Sequence, residues 1–184
     1  APEPGARSQE QASERVLRGA PISFGSAVIS RGGAPLDSTV ERGSVSQDGS
    51  LSLARGEVKE QLLNSEDGIE QRWHYGRDPR GEGALVLRVP AQGLRFAGET
   101  PRGVHFADAT GLGVRYSHAT WRDAAGKQTE VRARVVASAV EFQVPAALLA
   151  SSPFPALLAP TVSPEFGLGT PVTDPRGGSQ SAPP

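Results

Sequence analysis

His74, His105 and His118 are the only imidazoles in a chain of 184 residues that contains no cysteine. Without thiols, disulfide frameworks, thiol catalysis, cysteine-ligated zinc and iron–sulfur clusters are all excluded. A zinc ion held by imidazoles alone would need all three histidines to converge from separate strands. Strand alternation sets His74 and His105 opposite the aromatic faces of their segments and puts His118 on the Tyr116 face. Convergence is therefore not expected, and no metal ligand set and no cofactor is assigned.

Glu57, Glu60, Glu66, Asp67 and Glu70 lie close in sequence, and paired carboxylates can cleave glycosides when they stand about 5–10 Å apart. Spacing along strands does not set that distance. Asp48, Asp67, Asp108 and Asp123 fall in turns, but none has the D-x-[DN]-x-[DN]-G ligand density of a calcium loop, and turn chemistry accounts for each. No G-x-S-x-G elbow occurs. The glycine-rich run Asp108 to Gly113 lacks the Lys-Ser/Thr of a phosphate-binding loop and precedes a strand rather than a helix. Trp73, Tyr75, Tyr116 and Trp121 could stack on a sugar if exposed. With six Phe, two Trp and two Tyr serving the whole chain, a place in the core is the preferred reading.

The elements that would position these groups read as short strands. Ile22, Phe24 and Ser26 alternate before Val28 and Ile29, and Arg31-Gly32-Gly33 ends the run. Asp48-Gly49 separates Ser44 to Ser46 from Leu51 to Leu53 as a hairpin turn. Glu57 to Leu63 and Ile69 to Tyr75 flank the turn cluster Asn64 to Gly68; in the second run Ile69, Gln71, Trp73 and Tyr75 share the face expected to be buried. Ala84 to Val89 reads as an apolar strand ended by Pro90. Val104 to Phe106 and Leu112 to Ala119 follow. Val131 to Val135 and Val140 to Val144 form the clearest antiparallel pair, each with one apolar and one wet face. Pro145 to Ala150 makes a helical turn with proline in its first position.

About ten such strands predict an all-β fold, an antiparallel β-sandwich. Its expected span is 21–166. Residues 1–20 form a flexible or weakly helical segment, with Ser8 as the cap of a short helix to Leu17. Eight of the sixteen prolines fall in the last 34 residues, so 167–184 reads as a linker or tail. A formal net charge of −1 offers no basic stripe for nucleic acid, and no apolar run is long enough to insert in a bilayer. The start Ala1-Pro2-Glu3-Pro4-Gly5, without methionine, reads as what signal-peptide cleavage leaves, which predicts export.

Several of these residues carry a resemblance. Asp67 to Trp73, Pro79 to Leu87, Gly113 to Tyr116 and Asp123 to Lys127 resemble, in order, the G-L-E-Q strand, P-x-G-x-G-x-L turn, R-Y strand and D-A-x-G turn of an N-terminal β-sandwich module. That module belongs to exported surface proteins, often myxobacterial, and precedes propeller-type or other repeats. Its closing Y-P-hydrophobic-D-P segment corresponds to Phe154 to Pro160, with Phe154 for Tyr and Ala159 for Asp. The resemblance implies fold, export and an interaction role. It supplies no catalytic residue.

The expected function is that of a non-enzymatic module of an extracellular or cell-surface protein, serving adhesion, assembly or structural support. Its partners would be downstream domains of the same parent or other surface proteins. Two alternatives use different chemistry: a carbohydrate-binding module with Trp73, Tyr75, Tyr116 and Trp121 as its platform, and a pro-segment of a secreted enzyme or a hydrolase.

Overall fold

The computed structural model describes residues 22–36 and 40–165. The expected helix from Ser8 and the tail from 167 lie outside the described residues. The chain runs through β1 (Ser23–Phe24), β2 (Val28–Arg31), β3 (Ala34–Pro35), β4 (Val40–Val45), β5 (Leu51–Arg55), β6 (Val58–Ser65), β7 (Gly68–Tyr75), β8 (Leu85–Gln92) and β9 (Arg95–Thr100). It continues as β10 (Gly103–Ala107), β11 (Gly113–Ser117), β12 (Ala119–Arg122), β13 (Gln128–Val131), β14 (Ala133–Val136) and β15 (Ala139–Val144). The last elements are α1 (Ala146–Ser151), β16 (Ala156–Ala159) and β17 (Thr161–Glu165).

The fold is all-β, with two antiparallel sheets. The smaller has the order β14-β15-β8-β2-β3, and β1 also pairs with β8. The larger runs from β4 through β5 and β6 to β7, then forks. At one end of β7, Trp73 pairs with Leu158 of β16; at the other, Ile69 pairs with Val162 of β17. Pro160 separates the two branches, and its carbonyl accepts the Gln71 N–H at 3.0 Å. Lacking an N–H, proline suits a break between strands. β16 continues to β12 and β13, while β17 continues to β11, β10 and β9.

Alternation explains what lies between the sheets. Leu85, Leu87 and Val89 of β8 and Val140, Phe142 and Val144 of β15 face inward, as period two requires. Against them stand the aromatic rings of the larger sheet. Phe142 packs on Trp73 and Tyr116 with ring centroids 6.3 and 5.6 Å apart, and Trp121 packs on Tyr75 at 5.6 Å and on Phe154 at 6.2 Å. Pro145 caps α1 in an extended conformation, so the proline sits one position before the helix rather than inside it. The Trp121 indole N–H donates to Ser152 Oγ just beyond that helix, at 3.0 Å.

The aspartates of the turns bond to their own backbone. Asp48 Oδ1 accepts the Ser50 N–H, Asp108 Oδ1 those of Thr110 and Leu112, and Asp123 Oδ1 those of Ala125 and Lys127. Carboxylates used this way close turns. At the β6–β7 hairpin, Gly68 has φ +131°, and a Cβ there would stand 2.1 Å from the Val162 carbonyl. Only glycine lets β17 approach so closely.

Three expectations change. β8 continues past Pro90 to Gln92, because the proline lies where β2 gives way to β1; its carbonyl accepts the Gly25 N–H, and the Ala91 N–H donates to Ser138 in the β14–β15 turn. The run Val131 to Val135 is not one strand: Val131 pairs with Ala119 in the larger sheet, whereas Ala133 pairs with Phe142 in the smaller. The chain changes sheet at Arg132, and both flanking side chains point into the shared core. His118 likewise divides Leu112 to Ala119 between β11 and β12.

Candidate functional site

The inner face of β5, β6 and β7 is only partly covered: Leu53 and Leu62 are half-buried and Ile69 is exposed, while Glu60 and Gln71 are buried. Register brings alternate residues together there: Leu53 lies opposite Glu60, Leu62 opposite Gln71, Ile69 opposite Val162 and Val114 opposite Pro164. Together with Phe24 of β1, these residues line a half-open cavity of about 570 Å³. That size falls within the range of small-molecule sites, and its walls are mostly apolar.

Its polar groups form one buried chain. Arg55 Nε donates to Glu60 Oε2, Gln71 Nε2 donates to Glu60 Oε1, and the Tyr116 hydroxyl donates to Gln71 Oε1. Arg55 and Glu60 are each 3% exposed. A carboxylate removed from water to this degree needs both its cation and its hydrogen bonds. Burial, and then the charge of Glu60, hold the Tyr116 and Tyr75 phenols well above their ordinary value. Both tyrosines are therefore neutral at physiological pH, and Tyr116 donates from its hydroxyl.

The four aromatic residues expected as a possible sugar platform are not on the surface. Trp73, Tyr116 and Trp121 are fully buried and Tyr75 is 1% exposed. Each removes roughly 150–250 Å² from water, worth about 4–6 kcal/mol at 25 cal/mol per Å², and exposing them would forfeit that stabilisation. The platform reading is corrected on this ground. The clustered acids are also divided. Glu60 faces inward, Glu70 is bound by Arg72 through two 2.8 Å contacts on the opposite face, and Glu57 is paired with Arg77 at the β5–β6 turn.

The histidines occupy three separate places. His74 Nε2 donates to Gln61 Oε1 at 2.7 Å on the outer face, where burial, then Lys59 and Arg72, hold its pKa below the ordinary value. His118 Nδ1 accepts the Ala133 N–H at the change of sheet. His105 lies opposite the face of Val104 and Phe106, as alternation places it, but β10 is buried on both sides, and His105 lies between Thr100 and Glu165. No group of three or more metal-ligating side chains occurs among the described residues.

The sequence reading missed the Arg55–Glu60–Gln71–Tyr116 chain. A signal was present: Glu60 shares its strand face with Val58 and Leu62, so period two already placed an acid among core residues. Comparison with known proteins finds no matching family model, curated protein or solved structure. The fold and site define a two-sheet all-β protein with an apolar, internally neutralised cavity.

Proposed function

We propose that the chain is a binding and assembly module whose cavity holds an apolar segment of a partner protein. One observation carries this reading: the apolar wall of Phe24, Leu53, Leu62, Ile69, Val114 and Val162 surrounds polar groups that already satisfy one another. Such a site favours an uncharged apolar occupant, because the Glu60 charge is met by Arg55 and desolvating a further charge would cost several kcal/mol, on the order of the penalty for a buried ion. Ile69, 45% exposed, extends the apolar surface to the rim. The resemblance to exported surface modules supports an extracellular setting, with downstream domains or other surface proteins as the partners.

The test uses the neutral dye Nile red with the purified chain. Saturable binding of one dye, lost in Leu62→Trp while the melting temperature stays close to wild type, supports the reading. Absence of binding, or binding indifferent to the filled cavity, refutes it.

A further inference from the structure

We propose that Thr100, His105 and Glu165 form an acyl-transfer site, separate from the cavity, that takes its acyl group from an ester. Thr100 is the exposed last residue of edge strand β9, and its Oγ1 lies 2.7 Å from His105 Nε2. On the far side of the ring, His105 Nδ1 lies 2.6 Å from Glu165 Oε2 at the end of β17. A carboxylate at Nδ1 requires the hydrogen there, which leaves the Nε2 lone pair facing the Thr100 hydroxyl. The base is thus oriented by a third group, as an activated nucleophile needs. Glu165 is itself placed by Arg115, whose NH1 is 3.9 Å from Oε1 and whose NH2 donates to Ser163 at 3.1 Å. The Arg102 backbone N–H donates to Thr100 Oγ1 at 3.2 Å, which holds the hydroxyl in place beside the ring.

The chemistry is acyl transfer. Thr100 Oγ forms a bond to the ester carbonyl carbon as its proton passes to His105 Nε2. The bond to the leaving alcohol oxygen then breaks, and that oxygen takes the proton from Nε2. Water then adds to the carbonyl carbon of the Thr100 ester as Nε2 takes its proton; the bond from that carbon to Thr100 Oγ1 breaks, and Oγ1 takes the proton from Nε2, restoring the hydroxyl and releasing the acid. Glu165 is a positioning residue throughout. A purely structural role, in which the trio only fastens β17 to the β9–β10 hairpin, would leave the Thr100 hydroxyl as inert as any other.

The test incubates the purified chain with p-nitrophenyl acetate, maps acetylation by mass spectrometry and follows nitrophenolate release. The expected result is acetyl on Thr100, none at that position in Thr100→Val, retained reaction in Thr100→Ser, and a rate lowered at least about tenfold in His105→Gln, given that general bases contribute about 10²–10⁴. Glu165→Gln should slow the reaction and Glu165→Asp should restore part of it. Because Thr100 is exposed, its two variants decide the matter even where His105→Gln does not fold. Acetylation of Thr100 no faster than that of the exposed Ser46, or nitrophenolate release unchanged in Thr100→Val, overturns the proposal.

Discussion

Arg55→Met keeps an unbranched side chain on the inner face of β5 but takes the guanidinium away from the Glu60 carboxylate. Both residues are 3% exposed, so solvent screens their interaction little, and breaking such a pair by removing one partner costs about 3–5 kcal/mol. Against a total stability of about 5–15 kcal/mol for a domain, this is a large loss. Urea denaturation followed by tryptophan fluorescence measures it. Adding Glu60→Gln should recover most of the loss, since the amide still offers Gln71 an acceptor and carries no charge. In the wild-type background the same Glu60→Gln change should destabilise, because it removes the carboxylate from Arg55. A cost for Arg55→Met below about 1 kcal/mol, well short of the buried-pair range, would refute the reasoning. So would an effect of Glu60→Gln with the same sign in both backgrounds.

Three further outcomes follow from burial, charge and backbone geometry. The raised pKa values of Tyr75 and Tyr116, due to burial and then Glu60, mean that their contribution to stability is present below the ordinary phenol value of 10.0 and lost as pH rises above it. An alkaline absorbance titration should show no tyrosinate until the chain unfolds, and then both tyrosines at once; gradual ionisation of folded protein would contradict their placement. The pKa of His74 is lowered by burial, then by Lys59 and Arg72, so the unfolded chain binds the proton more readily and stability falls as pH drops through 6.5. His74→Gln should flatten the dependence of the melting temperature on pH in that window, and an unchanged slope would exclude the coupling. Finally, Gly68→Ala should cost more than about 1 kcal/mol, the upper size of the gain the same change brings where alanine fits, because its Cβ meets the Val162 carbonyl at 2.1 Å. Gly126→Ala, at φ +81° in open space, should cost less in the same thermal melts.

Much of the fold was legible because period two reports burial directly. The Asp48-Gly49 hairpin, the β6–β7 hairpin, the β14–β15 pair and the turn from Asp123 to Lys127 could be read from alternation and turn residues. So could the inward face of Gln71, Trp73 and Tyr75. The failures share a cause. Pro90 and Arg132 stand where one strand meets two neighbours or the chain passes between sheets, and His118 where it steps from one branch of the larger sheet to the other; alternation continues through such points without announcing them. Val131 and Ala133 are both buried, yet they belong to different sheets. The cavity was harder still to foresee, since its walls come from β1, β5, β6, β7, β11 and β17, which only long-range pairing brings together.

By itself, the sequence determined the all-β class, the tight turns and the absence of thiol chemistry, because each depends on residue type and on neighbours a few positions away. It also restricted the histidine chemistry to three candidates. Only the tertiary structure decided where the aromatic rings point, which acid is buried, and that His105 meets Thr100 and Glu165, the latter sixty positions away. The physical reason is that alternation assigns a side chain to a face, whereas the fork at β7 and the pairing of strands distant in the chain determine what that face meets. Charge, volume and solvent at Glu60 and His105 are set by strands distant in the chain, and those determine the chemistry open to each.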